Sequence, residues 1–125
     1  MKVRPIKNSE QIKRKYGIMK VLAGGNSFEM KTERIDFKIL EIYPHMSTSM
    51  HYHCKSETVF HVVRGCAELE TNDGLHLNIQ TGDTIIVDVK EFHKITNKQE
   101  GVCVIMEIMS PPYDKTDIYD EKILG

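Results

Sequence analysis

Between Ile18 and Ser110 the apolar and β-branched residues fall in short runs broken by turn residues about every ten positions, and no stretch sustains the 3.6-residue period of a helix. The pattern predicts an all-β chain. Strands are expected over 18–23, 28–31, 35–43, 47–53, 58–64, 66–71, 75–79, 84–89, 92–96 and 102–109. The clearest hairpin runs from Ala67, Leu69 and Thr71 through Asn72-Asp73-Gly74 into Leu75, Leu77 and Ile79, since Asp-Gly tolerates the positive φ of a tight turn. Its alternation predicts Leu69, Leu75, Leu77 and Ile79 on one buried face. The runs 84–89 and 102–109 are apolar at almost every position, which suits strands covered on both sides, as in a sandwich whose outer face meets a second subunit. A homodimer is therefore expected. Residues 4–15 are expected to form one short helix around Ser9-Glu10-Gln11-Ile12, with Asn8 or Ser9 as N-cap. After Ser110-Pro111-Pro112 the missing ladder donors end the strand pattern, and 113–125 should pack as a tail over the strands.

Length and composition narrow the classes. A chain of 125 residues suits a single domain, 1–125, with a core over about 18–109, an N-terminal arm 1–17 and a tail 110–125. With 40% hydrophobic and 28% charged residues it is not a disordered sequence. Seventeen basic against eighteen acidic residues leave a net charge of −1, so neither nucleic acid nor an anionic membrane is an expected partner. Seven Lys or Arg do fall in the first twenty residues, among them Lys13-Arg14-Lys15, but without interleaved aromatics they read as a solvated arm. No run approaches a membrane span or the apolar core of a signal peptide, which makes the cytoplasm the expected location. Cys54, Cys66 and Cys103 are odd in number and lack a CxxC pair, the pattern of reduced thiols and not of a disulfide framework or structural zinc site.

The chemistry concentrates in two segments. In the first, His51 and His53 stand at i and i+2, which on a strand projects both imidazoles to one face, close enough to share an ion. Such a pair is equally compatible with a solvated ladder. The second segment changes the balance: Gly82, Asp88, Lys90, His93 and Asn97 fall at spacings that, with the first, resemble the paired motifs of the cupin superfamily, G-x5-H-x-H-x(3,4)-E-x6-G and G-x5-P-x-G-x2-H-x3-N. Asp88 stands for the proline and Lys90 for the second glycine. The resemblance covers roughly residues 35–109 and implies a double-stranded β-helix, a jelly-roll barrel of two sheets.

That resemblance also implies one divalent transition metal, with zinc, iron, manganese and nickel not distinguished, held by His51, His53 and His93. The expected glutamate is displaced. Seven positions before Gly65 stands Thr58, while Glu57 keeps the spacing His-x-His-x3-Glu. Adjacent strand residues face opposite ways, so two alternatives stay open. A bulge or the turn at 54–56 brings Glu57 to the ion, or Thr58 points inward and the site is three histidines with an open side. If Glu57 faces in on a regular strand, Val59 and His61 do as well; otherwise His61 lies on the other face. His45 reads as a loop residue and His76 as outward-facing. Met50, Phe60, Val62, Ile95 and Ile105 are expected as largely apolar pocket walls around a small ligand.

Three functions follow. The first is an enzyme on a small organic molecule, an isomerase, lyase or dioxygenase; the segment 109–119 with His51-Tyr52-His53 resembles cupins similar to mannose-6-phosphate isomerase. Glu57, Glu107 or a lysine would then supply acid–base chemistry. The second is a metal-dependent binding or sensor module without turnover. The third, a structural barrel with a vestigial site, is disfavoured by the three retained histidines.

Overall fold

The computed structural model describes residues 1–114 and 116–120, the side chain of Asp120 excepted; Lys115 and 121–125, part of the expected tail, lie outside the described residues. A 3-10 turn, Ile6–Asn8, is followed by β1 (Glu10–Arg14), β2 (Gly17–Ala23), β3 (Asp36–Ile42), β4 (His51–Tyr52), β5 (Glu57–Arg64), β6 (Cys66–Glu70), β7 (His76–Gln80), β8 (Thr84–Val87), β9 (Lys94–Thr96), β10 (Cys103–Ser110) and β11 (Tyr119–Asp120). The fold is all-β, and no helix among the described residues is long and apolar enough to cross a membrane.

Six strands form the larger sheet in the order β1-β2-β3-β10-β5-β8, and the facing layer consists of β7-β6-β9 with the short pair β11-β4. All pairings are antiparallel. A bridge between His51 and His93 ties β4 to the segment just before β9. Two layers with order jumps from β3 to β10 and from β5 to β8 make the jelly-roll barrel.

Alternation along the central strands divides the interior in two. Leu40, Ile42, Phe60, Val62, Ala67, Leu69, Ile95, Cys103 and Ile105 belong to one closed apolar core. Each large aliphatic side chain taken from water here contributes roughly 1.5–3 kcal/mol. Toward the other end of the same strands the inward positions turn polar: Asp36 and Lys38 on β3, Glu107 on β10 and Thr58 on β5 are all buried. Register sets them side by side, with Glu107 opposite both Lys38 and Phe60, and Met109 opposite both Asp36 and Thr58. The outward positions Val59, Val104, Met106 and Ile108 are half-buried, and Val63 and Ile86 are exposed, so the large sheet carries an apolar outer face.

Several expectations need correction. Residues 4–15 do not form a helix. Five residues of β1 pair with β2, and this added sheet edge outcompetes a short helix, which is marginal on its own. The turn into β2 requires Gly17: its φ is 149°, and a Cβ would lie 2.1 Å from the Glu41 carbonyl oxygen. Residues 28–31 are a bent loop and not a strand. The Glu10 carboxylate gathers that loop by accepting from the Phe28 amide at 2.7 Å and the Ser27 hydroxyl at 3.3 Å, and Phe28 is left in solvent. In the hairpin, Leu69 and Ile79 are buried but Leu75 and Leu77 are exposed, because that end of β7 runs past the core.

Candidate metal centre and cavity

Two backbone turns deliver the histidines. His51 and His93 exchange main-chain hydrogen bonds, His51 N–H to His93 O at 3.2 Å and His93 N–H to His51 O at 2.9 Å. The Lys90 amide donates to the His53 carbonyl at 2.6 Å. Lys90 occupies the motif's glycine position and keeps a left-handed φ of 65°, so the turn retains its shape despite the substitution. Asn97, fully buried, donates to the carbonyls of Ile42 and Gly101 and fastens the end of this segment to the barrel.

The three imidazoles meet at one place. Ring centroids of His51 lie 5.1 Å from His53 and 4.4 Å from His93, and one ligand nitrogen from each falls within 4.8 Å of the others. Each Nδ1 sits against a main-chain carbonyl: Ser49 at 2.8 Å from His51, Asp117 at 2.8 Å from His53 and Glu91 at 3.0 Å from His93. A carbonyl only accepts, so every Nδ1 carries a proton, and a neutral ring then keeps its lone pair on Nε2. Buried His93 Nε2 has no hydrogen-bond partner. Burial, and then the neighbouring His51, push the His93 pKa down to about 3; burial lowers that of His53 as well. Imidazoles oriented through Nδ1, two of them held toward the neutral form by burial and one with an orphaned Nε2, suit a transition-metal ion.

Glu57 does not join them. It is exposed, whereas Thr58, Phe60 and Val62 alternate inward along β5. No bulge forms at 54–56 to reverse this parity; the irregularity of β5 lies at its far end, where Val104 pairs with Arg64 and Ile105 with Val62. The turn is instead clamped by Asp117, whose carboxylate accepts from the amides of Cys54 at 2.9 Å, Lys55 at 2.9 Å and Ser56 at 3.2 Å. The same parity sends His61 outward, to Thr84 Oγ1 at 2.8 Å. His45 and His76 are exposed and paired with Glu100 and Glu68.

A cavity of about 780 Å³ opens beside the histidines. Its walls differ from expectation: Phe60, Val62, Ile95 and Ile105 belong to the closed core, while His51, His53, Lys38, Glu107, Met50 and Met109 border the space. Lys38 reaches Asp36 at 3.5 Å and lies 4.3 Å from the centre of the Tyr113 ring. Burial pushes the Glu107 carboxyl above the ordinary range, opposed by the Lys38 and His53 charges. Sequence reasoning singled out neither Lys38 nor Asp117. Lys38 was legible, because it shares the inward parity of Leu40 and Ile42; Asp117 offered no signal.

The motif-bearing region matches the cupin domain family model over residues 38–109, more than half of the chain. The chain belongs to the cupin superfamily. No curated protein matches it in sequence. Among solved structures, this cupin resembles an uncharacterized protein with a double-stranded β-helix domain from Klebsiella pneumoniae, at 19% identity and a TM-score of 0.70, over 94% of this chain and 89% of the other. It is similar to the polyketide cyclase RemF from Streptomyces resistomycificus, at 17% identity and TM-score 0.79, over 97% and 85% of the two chains. It also resembles the oxalate decarboxylase of Lactobacillus farciminis, at 20% identity and TM-score 0.76, where 92% of this chain covers 34% of the larger one. At these identities the likeness is one of fold.

Proposed function

We propose that this cupin is a metal-dependent enzyme acting on a small organic molecule, with one divalent transition ion held by His51, His53 and His93. The observation that carries the reading is the shared arrangement of the three rings, each Nδ1–H given to a main-chain carbonyl, with the buried His93 Nε2 left without a partner. When bound, such an ion supplies Lewis acidity toward a ligand oxygen.

The chain's own residues supply the rest. Among the described residues Glu107 is the carboxylate that borders the cavity, and burial raises its pKa, which favours the protonated form and suits a group that exchanges a proton with a ligand. Lys38 lies opposite it on the neighbouring strand, lines the same cavity and approaches Asp36 to 3.5 Å. A proton-transferring group favours an isomerase or lyase over a dioxygenase. Named enzymes on the same fold, a cyclase and a decarboxylase among them, are consistent with a barrel that accommodates such chemistry.

The test is metal analysis followed by turnover. Protein prepared without chelators is expected to contain, or take up, about one equivalent of a transition metal. Replacing any one of His51, His53 and His93 by Ala should cut that content sharply, and His76→Ala should not. A failure to bind any transition metal would sink the reading. With metal bound, turnover of a sugar phosphate or keto acid that Glu107→Gln abolishes supports the enzyme; ligand-induced stabilisation with no turnover of any candidate places the protein with metal-dependent binding modules.

A further inference from the structure

We infer that the cavity selects a small organic anion, recognised at its mouth by Lys13, Arg14, Lys15 and Lys94. The inference rests on reading the three-histidine pocket as the working site and names the class of molecule that enters it.

Charge along the cavity is one-sided. Among the described residues five Lys or Arg border it, Lys13, Arg14, Lys15, Lys38 and Lys94, against a single acid, Glu107. The chain as a whole carries a net charge of −1, so this excess is a local segregation and not a property of the composition. Folding creates it: β1 pairs with β2 and carries the basic run to the edge of the larger sheet, while Lys94 arrives from β9 in the opposing layer. Cations from both layers therefore flank one opening.

These four side chains are also uncommitted. Lys38 is engaged by Asp36, but Lys13, Arg14, Lys15 and Lys94 make no salt bridge among the described residues. Holding several unpaired like charges together costs free energy through mutual repulsion. An anion at the mouth relieves that repulsion and is steered inward by the same field. The same cavity is also lined by apolar Met19, Met50 and Ile118, beside His51, His53 and Glu107. A molecule matching this lining has a charged head, a short apolar or neutral body, and its reacting part near the histidines and Glu107. Carboxylate and phosphate both satisfy the head, since lysine presents a point charge and the planar guanidinium fork of Arg14 pairs with either.

Calorimetric titration of the metal-loaded protein at low ionic strength tests this with benzoate, phenyl phosphate and the neutral isostere benzamide. At least one anion is expected to bind about tenfold more tightly than benzamide, and the tighter of the two assigns the head group. Neutralising the exposed rim together, Lys13→Gln, Arg14→Gln and Lys15→Gln, should remove most of that preference and leave benzamide unchanged; raising the salt should act the same way. Because the three side chains are exposed on an edge strand and its turn, the fold should tolerate their loss. Equal affinity for anion and amide, or no measurable binding of any probe, overturns the inference. So does an anion preference that survives the triple variant, which would place the anion on the ion itself and leave the metal reading intact. Metal content, measured on the same samples, reports separately on that reading.

Discussion

Asp117 shows how much a single side chain outside the motifs can organise. Its carboxylate collects three consecutive amides, and its carbonyl holds the Nδ1 proton of His53. Asp117→Ala leaves those amides unsatisfied and should cost about 3 kcal/mol of stability; the main-chain carbonyl is retained, but without the carboxylate clamp its segment is no longer held against His53, and metal affinity should fall roughly tenfold. Chemical denaturation and metal competition would measure the two effects separately; unchanged metal affinity would show that His53 needs no such support. Glu107 makes a prediction of opposite sign. Burial raises its folded pKa above the unfolded value, so its contribution is most favourable below the unfolded pKa near 4.5 and is lost as pH rises through the folded one. Glu107→Gln, nearly isosteric and always neutral, should therefore stabilise the protein at pH 8 more than at pH 4.5. Melting curves at the two values decide it.

At the scale of the strand, parity governs the site. The sequence places a glutamate and a threonine side by side where the motif it resembles has a single glutamate, and spacing alone does not choose between them. Packing chooses: Phe60 and Val62 belong in the core, and a two-residue repeat then forces Thr58 inward and Glu57 out. Glu57→Ala is accordingly expected to leave metal content unchanged and to alter stability by no more than about 0.5 kcal/mol, as for other surface substitutions. A loss of bound metal in that variant would contradict the register of β5. In the β6–β7 hairpin alternation specifies which side chains share a face but carries no information about where along the strand the core ends, so Leu77 is exposed while Ile79 is buried. The histidine pair, by contrast, was legible from spacing, since two residues at i and i+2 share a face under any regular strand pairing.

For the whole molecule, a metal at the histidines would join β4 to the segment before β9 and act as a staple between the two ends of the motif region. Metal at a hundred times its dissociation constant should add about 2.7 kcal/mol, roughly 10 °C in the melting temperature of a chain of this size, and a chelator should remove it. His93→Ala should abolish the metal-dependent part of that shift. What the sequence by itself determined was the all-β class and the shared face of His51 and His53, because these depend on local alternation; the two-sheet barrel and the place of His93 beside that pair came from the resemblance of two separate segments to the cupin motifs. Tertiary structure alone decided that the N-terminal basic run forms an edge strand beside the cavity, that Lys38 and Glu107 become neighbours across β3 and β10, and that Asp117 clamps the turn after His53. Each of these joins residues tens of positions apart. Their proximity follows from which strand edges find partners and which side chains the core can bury, and no single segment of the chain carries that information.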